Sequence, residues 1–188
     1  MIQADKTPPH FLSHYYEAAS GPFRSLSNLP LPQAEEVLDN IRHAGKVFAS
    51  KRPTDYLVNR RMVEKQVRQS FLDKGGKPRR YTPHYLIVGE CPWVKDWYQE
   101  GRDVRIPLAA LTVDIVSFTY GDSYPAMRYA DGKPYHAQVY TLTDLPILIE
   151  TYGLPQVWNN EGLYGPVRYI EAQVWANEPL LPFLSCEP

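Results

Sequence analysis

The chain has 188 residues, 44% of them hydrophobic and 22% charged, with a formal net charge of −1. This is globular composition, and it excludes a disordered or fibrous chain. No apolar run reaches the roughly 18 residues that a membrane span needs. The opening MIQADKTPPHF has neither the basic nor the apolar part of a secretory leader, and Cys91 and Cys186 build no disulfide framework. A soluble, cytoplasmic protein without membrane contact is therefore expected. The length suits a single domain over residues 1–188, and 18 Pro with 14 Tyr predict short strands and much ordered loop.

Charge is unevenly placed. From Arg42 to Arg80 the stretch carries +9, against −3 before it and −7 after it. Such asymmetry points to one basic face meeting an anionic ligand or a nucleic acid.

In chain order, residues 1–31 read as an irregular N-terminal arm, with a short helix at HFLSHYYEAAS ended by Gly21-Pro22, then a turn at SLSNLPLP. From Pro32 the spacing of Ala34, Val37, Leu38 and Ile41 predicts an amphipathic helix closing near Gly45. A second helix is expected from Thr54, its cap, to Asp73, with Tyr56, Val63, Val67 and Phe71 inward and Gly75-Gly76 as its stop. Its other face carries Arg60, Arg61, Lys65 and Arg68, partly neutralised by Glu64 along the helix surface. With Arg79 and Arg80 beyond the helix, these form the expected anion or nucleic-acid surface.

After Arg80 the period becomes that of strands: HYLIVG, VRIPL, TVDIVSFTY, HAQVYTL and RYIEAQVW, with a short helix at PWVKDWYQ and another from Thr143 to Tyr152 stopped by Gly153. Residues 176–188 read as a Pro-rich C-terminal tail packed on the surface. Helices first and strands afterwards give an α+β class, with N-terminal helices on a mixed or largely antiparallel sheet.

Two segments gather chemistry. SFTYGDSYPAM, residues 117–127, offers Tyr120, Asp122 and Ser123 beside a break at Gly121, as a ligand pocket requires. In RYIEAQVW alternation puts Tyr169, Glu171, Gln173 and Trp175 on one face, so Glu171 can serve as a general base or stabilise a cationic transition state. If Glu171 is solvated at a cleft, Glu171→Gln leaves stability almost unchanged. His10 and His14 share i, i+4 spacing but lack a third ligand, so no metal site is assigned. His84 and His136 sit at expected strand starts and read as structural.

The motifs SHYYE before the SLSNL loop and the Pro32 helix, IPL followed by VSFTYGDSYPAM, and YIEAQVW followed by NEPL together resemble the ADP-ribosyltransferase superfamily, in particular its DNA-modifying toxin branch. The resemblance implies NAD as cofactor. It makes His14 a nicotinamide-site residue, Arg52 or Arg60 a group orienting the pyrophosphate or substrate, and Glu171 the catalytic acidic residue, its carboxylate stabilising an oxocarbenium-like state. SHYYE lacks the hydroxyl residue usual two places after the His, and the arginine is not uniquely assigned. A nucleotide-dependent transferase thus stands beside two rivals: a non-enzymatic nucleic-acid or protein-binding module, and an assembly protein whose tyrosines and prolines form a homo-oligomer interface.

Overall fold

The computed structural model describes residues 8–184. Six strands form one antiparallel sheet: β1 Phe11–Glu17, β2 His84–Val88, β3 Gly101–Pro107, β4 Val116–Tyr120, β5 Tyr140–Thr141 and β6 Ile170–Val174, in the order β3-β1-β2-β6-β4-β5. With helices α1 Leu31–Ala44, α2 Tyr56–Asp73, α3 Pro92–Lys95, α4 Ser123–Ala126, α5 Leu145–Tyr152 and α6 Pro155–Trp158, this is an α+β fold. None of these helices is long and apolar enough to cross a membrane.

The sheet is covered on both faces, by one apolar core on each side. Ile170, Ala172 and Val174 of β6 join Leu86, Phe118 and Tyr120 in one core with Leu145, Leu148 and Ile149 of α5. Trp175 instead packs with Val63, Val67 and Phe71 of α2 on the other side. Helix α1 ends where Gly45 takes a left-handed φ of 66°, its N–H bonded to the Ile41 carbonyl, a conformation that costs glycine little.

Several expectations are corrected. The segment HFLSHYYEAAS is not helical: Phe11–Glu17 is a strand pairing along its whole length with Gly101–Pro107. Leu12, Ser13, His14 and Tyr15 are all buried, so burial on both faces masks the strand period, while Phe and Tyr favour a pleated surface. The second helix starts at Tyr56 with Asp55, not Thr54, at its N-cap, and no side chain caps it. HAQVYTL supplies only Tyr140–Thr141 as strand, because Ala137 has a positive φ of 55° and bonds the Ala126 carbonyl. His136 therefore lies outside any strand. The tail folds into a 3-10 turn at Glu178–Phe183 whose Leu180 enters the core. Residues 1–7 of the N-terminal arm and 185–188 of the tail lie outside the described residues.

Candidate functional site

The site sits at a seam in the sheet. Between β1 and β2 the register is a single pair, Ser13↔Ile87, and beyond it the Tyr85 carbonyl is met by the His14 ring at 2.9 Å instead of by backbone. A cleft of about 250 Å³ enters there, lined among others by His14, Arg52, Tyr56, Arg60, Tyr85, Asp122 and Glu171. Neighbouring strand residues, His14 with Tyr15 and His84 with Tyr85, all line it. Since successive side chains point to opposite faces, the cleft lies between diverging strands rather than on one face. A wider groove of about 800 Å³ shares Tyr15, Phe23, Arg24, His84 and Tyr98 as walls.

Glu171 reaches the cleft because β6 pairs Thr119↔Glu171 with β4. Its Oε1 accepts from the Ser123 N–H at 3.2 Å and from Gln173 Nε2 at 3.1 Å. Gln173 is itself fully buried and locked by Ser117 and Thr119. Glu171 is 5% exposed, so it is not solvated as expected. Burial, with Asp122 nearby, pushes its pKa up to about 7, against the opposing pull of Arg60 and two hydrogen bonds. A carboxyl tuned to that range can hold or release a proton at neutral pH.

Arg60 overturns the exposed helix face expected of it. It is 7% exposed, lies over the Tyr85 ring at 3.9 Å, and faces Glu64 at 3.5 Å and Asp122 at 3.4 Å. Burial works against its charge, yet Tyr85, Tyr56, Glu171 and Asp122 hold its pKa well above the ordinary value. The cleft lining thus mixes both signs, with Arg24, Arg52 and Arg60 beside Asp122 and Glu171. Glu64 is buried as well and does not neutralise an outer surface. Arg52 lies over Tyr56 at 4.2 Å, at the rim.

His14 contributes a wall and a fixed tautomer. Its Nδ1 lies 2.9 Å from the Tyr85 carbonyl and so donates to it, while its Nε2 accepts the Phe23 N–H at 2.7 Å. Burial lowers its pKa to about 4, so the ring is neutral and both nitrogens are committed within the protein. Its bond to Phe23, a non-glycine residue at φ 60°, holds the loop that forms one side of the cleft.

The structure brings together His14, Arg52, Arg60, Asp122 and Glu171. It does not bring in Tyr120, whose parity turns it to the opposite core, with its hydroxyl donating to the carbonyls of Tyr152 or Gly153. Ser123 contributes its backbone N–H to Glu171 rather than its buried side chain to the cleft. Among the basic residues, Arg61 donates to the Leu29 carbonyl at 2.6 Å and Arg68 to those of Arg80 and Pro78. Arg80 bonds Asn28 and Asn177, Arg79 faces Glu178 at 3.6 Å, and Lys65 is exposed. The charge excess is thus partly spent in stapling loops.

Sequence reasoning missed Tyr85, Tyr56 and Ser27. Tyr85 carried a signal, as the hydroxyl-bearing aromatic within the apolar run HYLIVG. Among the described residues no group of three or more His, Cys, Asp or Glu is placed to hold a metal ion. Comparison with protein-family models, curated proteins and solved structures returns no match.

Proposed function

We propose that the protein is an NAD-consuming transferase of the ADP-ribosyltransferase type, with Glu171 as its catalytic carboxylate. The observation that carries this reading is the buried Glu171 in a cleft that it shares with Asp122, Arg52 and an ordered Arg60. Breaking the bond between nicotinamide and ribose spreads positive charge over the sugar, and a fixed, water-excluded carboxylate stabilises that charge as it develops. NAD also brings a cationic pyridinium, which suits the Glu171 and Asp122 carboxylates, and a diphosphate, which suits Arg52 or Arg60. The chamber beside Glu171 and the wider groove sharing its walls provide a path for an extended dinucleotide. In this reading His14 shapes the nicotinamide end by fixing Phe23 and offers no ring N–H to the ligand.

The enzyme reading is favoured over a binding module because binding needs only exposed basic and aromatic groups, whereas here the charged network is buried. Lys65, Arg79 and the exposed Tyr81 lie on the outside, where a nucleic-acid acceptor would meet them. The test is nicotinamide release from NAD by the purified protein, with mixed nucleic-acid and protein acceptors. Turnover should rise with pH through about 7, where Glu171 ionises, and Glu171→Gln should cut it on the order of 100-fold or more. No release with any acceptor, together with no thermal shift from NAD, overturns the reading.

A further inference from the structure

We infer that Glu64 is a positioning residue: on its Oε1 two hydrogen bonds and the Arg60 ion pair, from three elements, converge to set the attitude of Arg60 in the cleft. Ser27 Oγ donates to it at 2.6 Å from the loop before α1, and Tyr85 Oη donates at 2.6 Å from β2. Arg60 Nε approaches at 3.5 Å from one turn earlier on α2. The same tyrosine offers its ring face to the guanidinium at 3.9 Å. Arg60 is thereby held from below by the ring, at its Nε by Glu64, and at Nη1 by Asp122, while Nη2 has no protein partner among the described residues.

A guanidinium on a flexible stem loses much rotamer freedom when it is ordered. Without the carboxylate that orders it, its free edge would sample several directions, and a displacement of about 1 Å in a positioning group can cost as much as 100-fold in rate. Glu64 also ties the turn carrying Ser27 to the helix carrying Arg60, so the loop side and the helix side of the cleft move as one piece. Its Oε2 is buried with no partner among the described residues, so all of its hydrogen bonding falls on the oxygen at which the three elements meet.

The inference rests on the NAD reading only for what Arg60 would touch, and the two can fail separately. The direct readout is the Arg60 Nε–H resonance in ¹⁵N-labelled protein, assigned by its disappearance in Arg60→Lys, with its solvent-exchange rate. In the wild type it should be distinct and slowly exchanging. Glu64→Leu removes the acceptor and should move the resonance and speed its exchange. Glu64→Gln keeps an acceptor at Oε1, with its amide nitrogen at the unpartnered Oε2 position, and should restore both.

In parallel, NAD affinity and nicotinamide release should weaken about tenfold or more in Glu64→Leu and within about threefold in Glu64→Gln. If Glu64→Leu does not fold, the Ser27→Ala/Tyr85→Phe double variant frees the carboxylate while leaving an aromatic ring under Arg60, and it should loosen the same resonance. A wild-type resonance unchanged in Glu64→Leu, or in the double variant where that one fails to fold, overturns the inference. A wild type that ignores NAD overturns the substrate reading alone, and the Arg60 resonance still decides the part played by Glu64.

Discussion

Glu171→Gln should make the protein more stable at alkaline pH while it disables the site. Burial raises the carboxyl from the ordinary glutamate value of 4.5 to about 7. The sign follows from linkage. A group whose folded pKa lies above its unfolded one favours the native state fully below about 4.5, and that contribution is lost as pH rises through about 7. The span is worth on the order of 3 kcal/mol. Glutamine does not titrate and can keep both hydrogen bonds that reach Oε1. Wild type and variant should therefore match near pH 4 and separate between about pH 4.5 and 7. Above that the variant leads by about 3 kcal/mol, or roughly 6–12 °C in melting temperature for a chain of this size. Urea unfolding of both proteins from pH 4 to 9 measures it. A stability difference that does not change with pH, or a glutamine variant that is weaker at pH 8, refutes the argument that the charge of Glu171 is held against its own desolvation.

His14 titrates in the opposite sense: its pKa is lowered to about 4, so its contribution is present above about 6.5 and is lost as pH falls through 4. The Glu171 and His14 limbs largely cancel in the wild type, so Glu171→Gln should show stability rising with pH, and His14→Phe should show it falling from pH 5 to 8, in the same unfolding series. Ser117→Ala removes a fully buried hydroxyl that donates to Gln173 Oε1 and accepts from Trp175 Nε1, both at 2.9 Å. Two unpaired buried groups should cost about 2–4 kcal/mol by denaturant titration, and a loss below about 0.5 kcal/mol would contradict that network. Gly101→Ala would put a Cβ 2.3 Å from the Lys95 carbonyl oxygen, a backbone atom that cannot step aside. A loss of about 1–3 kcal/mol is expected, and an unchanged melting temperature would show that the approach relaxes freely.

Amphipathic elements were the most legible. Both long helices lie where their apolar spacing puts them, though Val37 of α1 is exposed, and the alternation in RYIEAQVW divides Ile170, Ala172 and Val174 from Glu171, Gln173 and Trp175 as the structure does. Strand β1 was hidden because it is buried on both faces, which removes the alternation that marks a strand. Arg60 and Glu64 were misread for a related reason. An i, i+4 pair of opposite charges reads as a solvated helix surface, and only the third dimension places Tyr85 under the guanidinium. Alternation also separates Tyr120 from Glu171 across the sheet, since the paired residue is Thr119; grouping residues 117–127 by proximity in sequence obscured that parity. The pairing of Arg61, Arg68 and Arg80 with loop groups could not be inferred from a charge count, because carbonyl acceptors leave no trace in sequence.

The seam between β1 and β2 has a mechanical consequence. Among the described residues the backbone of the β3–β1 ribbon pairs with the rest of the sheet only around Phe11–Ser13 against Ile87–Gly89; past that point side chains take over, with His14 on the Tyr85 carbonyl and the Tyr15 hydroxyl accepting the Cys91 N–H. That wall of the cleft is therefore held by side chains rather than by a ladder of backbone bonds. A molecule seated in the cleft would touch β1 on one side and β2 and β6 on the other, and so brace them against each other. Amides of β1 and β3 well away from any ligand contact should therefore exchange more slowly when the mouth is filled.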